Sequence, residues 1–195
     1  MSHLRRSRTS QQSVREAMAR VGRARFLPAD LRHLADEDAA LPIGHGQTIS
    51  QPTMVRLLCE ALELRGDEKV LDVGTGSGYQ AAVLAELARE VHSIEVIREL
   101  ADEARARVPA NVQVHLGDGS QGLPEEAPFD AIAVAAAADA PPPALLEQLA
   151  PGGRLVIPIG LPHHQVLHVF RDDGRVTTGV GCRFVPLVFA QHPPG

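Results

Sequence analysis

The residues with the most chemical content lie between Lys69 and Tyr79, KVLDVGTGSGY. An apolar, β-branched run ends in Gly74, Gly76 and Gly78, and helix formers follow from Gln80 to Leu87. The pattern predicts a buried strand, a sharp loop and a helix. The backbone N–H groups of Gly74, Thr75, Gly76, Ser77 and Gly78 would then face a ligand at the helix N-terminus. A dinucleotide fingerprint, G-x-G-x-x-G, needs its third glycine at 79, where this chain has Tyr79. About 20 residues beyond Gly74 the next strand pattern ends at Glu95, an offset at which a carboxylate accepts from both hydroxyls of a ribose. An ordinary exposed strand-end glutamate is the alternative. Asp72 also has two readings, as a partner for the cationic end of a ligand or as a brace for the loop.

These residues need a scaffold, and the hydrophobic periodicity supplies one. Residues 13–21 have helical spacing at Val14, Ala17, Met18 and Val21, with Ser13 as N-cap, while residues 1–12 read as a flexible tail. From Pro28 to Thr48 no period is visible, as in a loop that covers something. Residues 52–64 form a second helix, apolar over a wide arc, and Ser50 shortly before Pro52 is well placed to cap it. Strand and helix patterns then alternate: strands at 69–73, 91–94, 112–116, 130–134 and 155–159, helices at 80–88, 99–108 and 143–149, and a turn at 151–153. That order predicts an α/β fold, a doubly wound and mostly parallel sheet with right-handed crossovers. In such sheets ligands bind beyond the carboxyl ends of the strands. The tail differs, with 166–170, a turn at 172–174, 176–180 and 184–189 reading as antiparallel strands closing the sheet edge. One domain is expected over 13–195, divided into an N-terminal helical cap (13–66), a cofactor-binding core (67–160) and C-terminal strands (161–195).

The 195 residues suffice for one self-supporting core, and with 44% hydrophobic residues, 3% aromatics and no Trp that core must be aliphatic. A net charge of −5 argues against nucleic acid as a partner, and Arg5, Arg6 and Arg8 read as a solvated tail. The longest uninterrupted apolar run, 131–138, is far short of the roughly 20 residues that span a bilayer, and the N-terminus has no secretory pattern. Cys59 and Cys182 are isolated, so reduced thiols and a cytoplasmic location are expected. Of nine histidines only His163 and His164 adjoin, and neighbours on a strand or helix point apart, so no metal is expected. A monomer is expected.

Alternate glycines after an acidic residue resemble motif I of the class I S-adenosylmethionine-dependent methyltransferases, a Rossmann-like fold. In such sites an acidic residue after the third strand, here Asp118 in Gly117-Asp118-Gly119, accepts from the adenine amine; an Asp-Gly turn is the alternative. The blocks GHGQTISQP (44–52), VLDVGTGSGYQAAVLA (70–85), VHSIE (91–95), GDGSQGLPEEAPFDAI (117–132), LLEQLAPGGRLVIPIG (145–160) and RFVPL (183–187) together resemble protein-L-isoaspartate O-methyltransferases. The resemblance implies methyl transfer from S-adenosylmethionine, leaving S-adenosylhomocysteine, to the α-carboxylate of L-isoaspartyl residues in damaged proteins. The ester then closes to a succinimide. It implies Ser50 as the active-site serine and Thr48 and Ile49 at the substrate cleft. Asp72, the loop Gly74 to Gly78, Glu95, Asp118 and Gly119 would be cofactor contacts, with RFVPL beside the peptide. Gly22, Leu34-Ala35 and the Ala/Pro-rich 135–143 depart from the family pattern, and these bear on peptide selectivity.

Three other functions remain open on the residues alone. One is a methyltransferase for aspartate in a dedicated precursor peptide, and another is a cofactor-binding protein without turnover. The third, an NAD-dependent enzyme, is opposed by Tyr79 and by the lack of a Tyr-x-x-x-Lys pattern.

Overall fold

A computed structural model describes residues 2–161, 164–174 and 176–187; of residues 2–10, 177 and 178 only the backbone path is described. The chain opens with α1 (Ser2–Val21), two 3-10 segments (Arg23–Phe26 and Ala29–Leu34), and an antiparallel hairpin of β1 (Leu41–Gly44) and β2 (Gln47–Ile49). After α2 (Pro52–Ala61) come β3 (Lys69–Val73), α3 (Tyr79–Ala85), β4 (Glu90–Glu95), α4 (Arg98–Arg105) and β5 (Val112–Leu116). The chain continues through β6 (Phe129–Val134), α5 (Pro143–Glu147), β7 (Leu149–Ile159), β8 (Gln165–Arg171) and β9 (Val176–Cys182).

Seven strands form one sheet in the order β5-β4-β3-β6-β7-β8-β9. The first five pair in parallel, β8 pairs antiparallel with β7, and β9 pairs antiparallel with β8. Parallel strands are covered on both faces, which is why their sequences are nearly unbroken apolar runs. Side chains alternate between two cores. Val70, Val91, Ala131 and Val156 pack with Val14 of α1, Leu58 of α2 and Leu84 of α3. Leu71, Val73, Ile94, Ile132 and Leu155 pack on the other face with Leu145 of α5. Fully buried leucines such as Leu71 and Leu155 each contribute about 1.5–3 kcal/mol relative to exposure. Because β3 has β4 on one side and β6 on the other, the winding reverses at β3, and a crevice opens where the tips of β3 and β6 diverge.

Four local features differ from the sequence expectation. Helix α1 begins at Ser2 rather than Ser13, because its polar early turns carry no hydrophobic period; Gln12 Nε2 donates to Glu16 Oε1 at 2.7 Å one turn on. The 28–48 segment holds the β1–β2 hairpin, too short to show alternation. The turn at 151–153 is a bulge inside β7, where the register to β6 shifts between Phe129 and Ala131. Residues 183–187 form no antiparallel edge strand. They bridge the loop after β6 in a parallel sense: Ala137 N–H donates to Val185 O, and Leu187 N–H to Ala137 O, both at 2.8 Å. The rest of the expected 184–189 strand, and His163, lie outside the described residues.

Candidate functional site

The loop leaving β3 is built on a polar ladder beneath it. Asp72 lies opposite Ser93 in the β3–β4 register. Ser93 Oγ donates to Asp72 Oδ2 and Gln80 Nε2 to Asp72 Oδ1, both at 2.7 Å. With the Ser93 hydroxyl hydrogen so used, Thr75 Oγ1, 2.6 Å away, must donate to Ser93. Asp72 is completely buried; desolvation pushes its pKa up to about 6 against the downward pull of the Ser93 and Gln80 hydrogen bonds, with nearby Glu95 adding to the rise. Of its two sequence readings, the geometry is that of the loop brace.

Above this ladder Gly74, Gly76 and Gly78 have φ of 93°, 51° and 87°, conformations that cost a side chain about 1 kcal/mol or more. Gly78 is the left-handed N-cap of α3, and a Cβ there would lie 2.9 Å from Val108 Cγ1. The loop is tied to β4 by Gly74 N–H donating to Ile94 O at 2.9 Å and Gly76 N–H to Glu95 Oε2 at 2.8 Å. Glu95 Oε1 accepts from Val96 and Ile97 N–H at 3.0 Å each. Three backbone donors thus fix this 6%-exposed carboxylate.

A cleft opens at the tips of β3, β4 and β6, the crevice where an open α/β sheet binds its ligand. Its lining brings together Thr48, Ile49, Ser50, Gly74, Thr75, Gly76, Ser77, Glu95 and Gly119 from the expected set, together with Val185, Pro186 and Leu187 of RFVPL. Among the described lining residues Glu95 alone carries a charge, and no Lys, Arg or His is present. A pyrophosphate would meet a carboxylate and no cation there, whereas a neutral or cationic nucleoside fits. Gly119 makes room at the wall, since a Cβ there would stand 2.5 Å from Val73 Cγ1.

Asp72, Gly78 and Asp118 do not line the cleft. Asp118 caps the 3-10 turn Gly119–Gln121, its Oδ1 accepting from Ser120 N at 2.9 Å and Ser120 Oγ at 2.7 Å. Ser50 is half-buried at the mouth, and among the described residues its hydroxyl has no hydrogen-bond partner. It does not cap α2. The N-cap is Gln51, and the Thr53 N–H is taken instead by Asp38 Oδ1 at 2.9 Å. That bond is the largest cause of the fall of the Asp38 pKa below its ordinary value.

Sequence reasoning missed Ser93 and Gln80, which orient Asp72, and Val96 and Ile97, which line the cleft; Ala135 and Ala136 of the Ala/Pro-rich 135–143 loop line it too, as expected of a loop that borders the cleft. Ser93 had a signal: it and Asp72 are polar residues inside apolar strands, and buried polar groups need partners.

The family model for protein-L-isoaspartate(D-aspartate) O-methyltransferase matches residues 1–192. The chain is 53% identical over 184 residues to protein-L-isoaspartate O-methyltransferase 1 of Nitrosospira multiformis, covering 90% of this chain and 78% of that one. It is 51% identical over 186 residues to the protein-L-isoaspartate O-methyltransferase of Myxococcus xanthus, covering 89% and 87%. Its fold is similar to the crystal structure of a Plasmodium falciparum protein described under the same activity, in complex with S-adenosyl-L-homocysteine, with a TM-score of 0.76, 25% identity and 90% of each chain covered. With the family model matched over nearly the whole length, this chain belongs to the protein-L-isoaspartate(D-aspartate) O-methyltransferase family.

Proposed function

We infer that this protein methylates the α-carboxylate of L-isoaspartyl residues in damaged proteins and peptides, with S-adenosylmethionine as donor. The observation that carries this is the single cleft shared by the glycine loop, Glu95 and Ser50, charged among its described lining residues only by that one carboxylate. When bound, S-adenosylmethionine supplies an electrophilic methyl group on a sulfonium, which an acceptor oxygen takes as the sulfur–carbon bond breaks. Gly74, Thr75, Gly76, Ser77 and Gly119 form the wall against it, and Glu95, held by three N–H groups, has lone pairs left for a ribose.

The chain needs no general base. An isoaspartyl carboxyl has a pKa near ~4 and is ionised at neutral pH. The lack of a cation among the described lining residues matters too. A lysine or arginine would stabilise the acceptor carboxylate before reaction more than after, when its charge is gone, and so would raise the barrier. The apolar walls, Ile49, Val55, Ile97 and Leu187, keep water from the opposite charges that neutralise during transfer. Ser50, Thr48 and Ile49 receive the acceptor, and the Ser50 hydroxyl orients its carboxylate, so that proximity and alignment supply most of the rate.

The substrates are proteins and peptides rather than nucleic acid, in keeping with the net charge of −5. Among the described residues no helix is long and apolar enough to cross a membrane. A cytoplasmic monomer is the proposed form. Mass spectrometry tests the chemistry: an isoaspartyl peptide should gain one methyl ester, then lose methanol to a succinimide. A protein that binds S-adenosylhomocysteine but leaves the peptide unchanged would be a binding module instead.

A further inference from the structure

Arg23 stands outside the cleft and outside every motif discussed above, yet it is only 6% exposed. Its guanidinium reaches across the covering segment. Nη1 donates to Ala35 O at 3.1 Å and Glu37 O at 3.3 Å, and Nη2 to Ala39 O at 2.7 Å and Ser50 O at 3.2 Å. Nε is buried and has no partner among the described residues. Burial lowers its pKa from the ordinary arginine value, against the raising influence of Tyr79 and Asp38. A charge this enclosed is costly, and nothing in the apolar core requires it.

The four carbonyls share one consequence. Residues 35–39 are gathered around the guanidinium, and from the same segment Asp38 reaches out to the Thr53 N–H at 2.9 Å and to Gln51 Nε2 at 3.4 Å. Ser50 lies between these two anchors. Its own carbonyl is held by Arg23, and the helix start just after it is held by Asp38. Its hydroxyl has no hydrogen-bond partner among the described residues, and Ser50 lines the cleft. A planar fork with five donors can serve four carbonyls at once, which an ammonium cannot.

We propose that Arg23 is a positioning residue for the reaction: with Asp38 it straps segment 35–39 to residues 50–53 and so sets the Ser50 hydroxyl against the acceptor carboxylate. The proposal rests on the role of Ser50 given above, and a double-mutant cycle separates the two. Arg23→Lys should lower kcat for an isoaspartyl peptide about tenfold or more while the KM for S-adenosylmethionine stays within about twofold. Combined with Ser50→Ala it should lower kcat little further than Ser50→Ala alone, since both act through one hydroxyl.

If Ser50→Ala keeps its kcat, the role of Ser50 falls and this proposal with it. If Ser50→Ala is impaired while Arg23→Lys is not, or the two losses multiply, only the assignment of Arg23 falls. Should Arg23→Lys fail to fold, Asp38→Ala, at an exposed position, acts on the same strap. A several-fold fall in kcat that vanishes in the Ser50→Ala background supports the proposal, and an unchanged kcat overturns it.

Discussion

The Gly76 N–H donates to Glu95 Oε2 at 2.8 Å, so the carboxylate at the tip of β4 closes the glycine loop at the tip of β3. With Val96 and Ile97 N–H on Oε1, Glu95 is oriented before any ligand arrives, and binding need not order it. The residue expected to read a ribose is therefore also a structural tie between two strand ends.

Removing that tie should hurt binding first. Glu95→Ala deletes an ionised acceptor worth roughly 1.5–3 kcal/mol per hydrogen bond to a ligand hydroxyl. The dissociation constant for S-adenosylhomocysteine, read by calorimetry, should rise about 10- to 100-fold. Unchanged affinity would remove Glu95 from the binding role.

Ser50→Ala should behave in the opposite way. The α2 N-terminus is satisfied by Asp38, so the melting temperature should change little, where loss of a true N-cap costs about 1 kcal/mol. Turnover should drop at least about tenfold with S-adenosylhomocysteine affinity intact. A large fall in melting temperature with unaltered kcat per folded molecule would return Ser50 to a capping role.

Asp72 gives a pH test with a definite sign. Its pKa is raised from the ordinary 3.8 to about 6, so the folded protein holds this proton more tightly than the unfolded chain. Its ionisation therefore destabilises the fold: the penalty is absent below pH 3.8, grows as pH rises toward 6 and is complete above, of order 3 kcal/mol. Asp72→Asn does not titrate. Urea unfolding of both proteins should show the variant gaining stability relative to the parent between about pH 4 and 6, with no further gain above. A constant difference across that window would contradict the burial argument.

Much of this was legible in the chain because the relevant signals are local. The apolar run at 69–73 followed by alternate glycines defines a strand, a loop and a helix start, and the parallel order follows from the spacing of β4 to β7. Gly76, Glu95 and Gly119 could be nominated because strand tips converge in an open sheet, while Thr48 and Ser50 came only from the resemblance of QTIS to the family. What escaped depends on pairing across the sequence. Ser93 matters because it sits opposite Asp72, Asp38 because it caps a helix 15 residues on, and Arg23 because four distant carbonyls surround it. The short β1–β2 hairpin has too few residues for a period, and the parallel bridge of Pro186 to Ala137 comes from tertiary packing rather than from the strand-like composition of RFVPL.

The central claim is that the cleft aligns an isoaspartyl carboxylate with the donor methyl group. Its most direct test is transfer of tritiated methyl from S-adenosylmethionine to two synthetic peptides identical except that one carries the β-linked isoaspartyl residue and the other normal aspartate. Labelling of the isoaspartyl peptide, with little on its partner and later release as methanol, is the predicted result. Equal labelling of both peptides, or of neither, would contradict it.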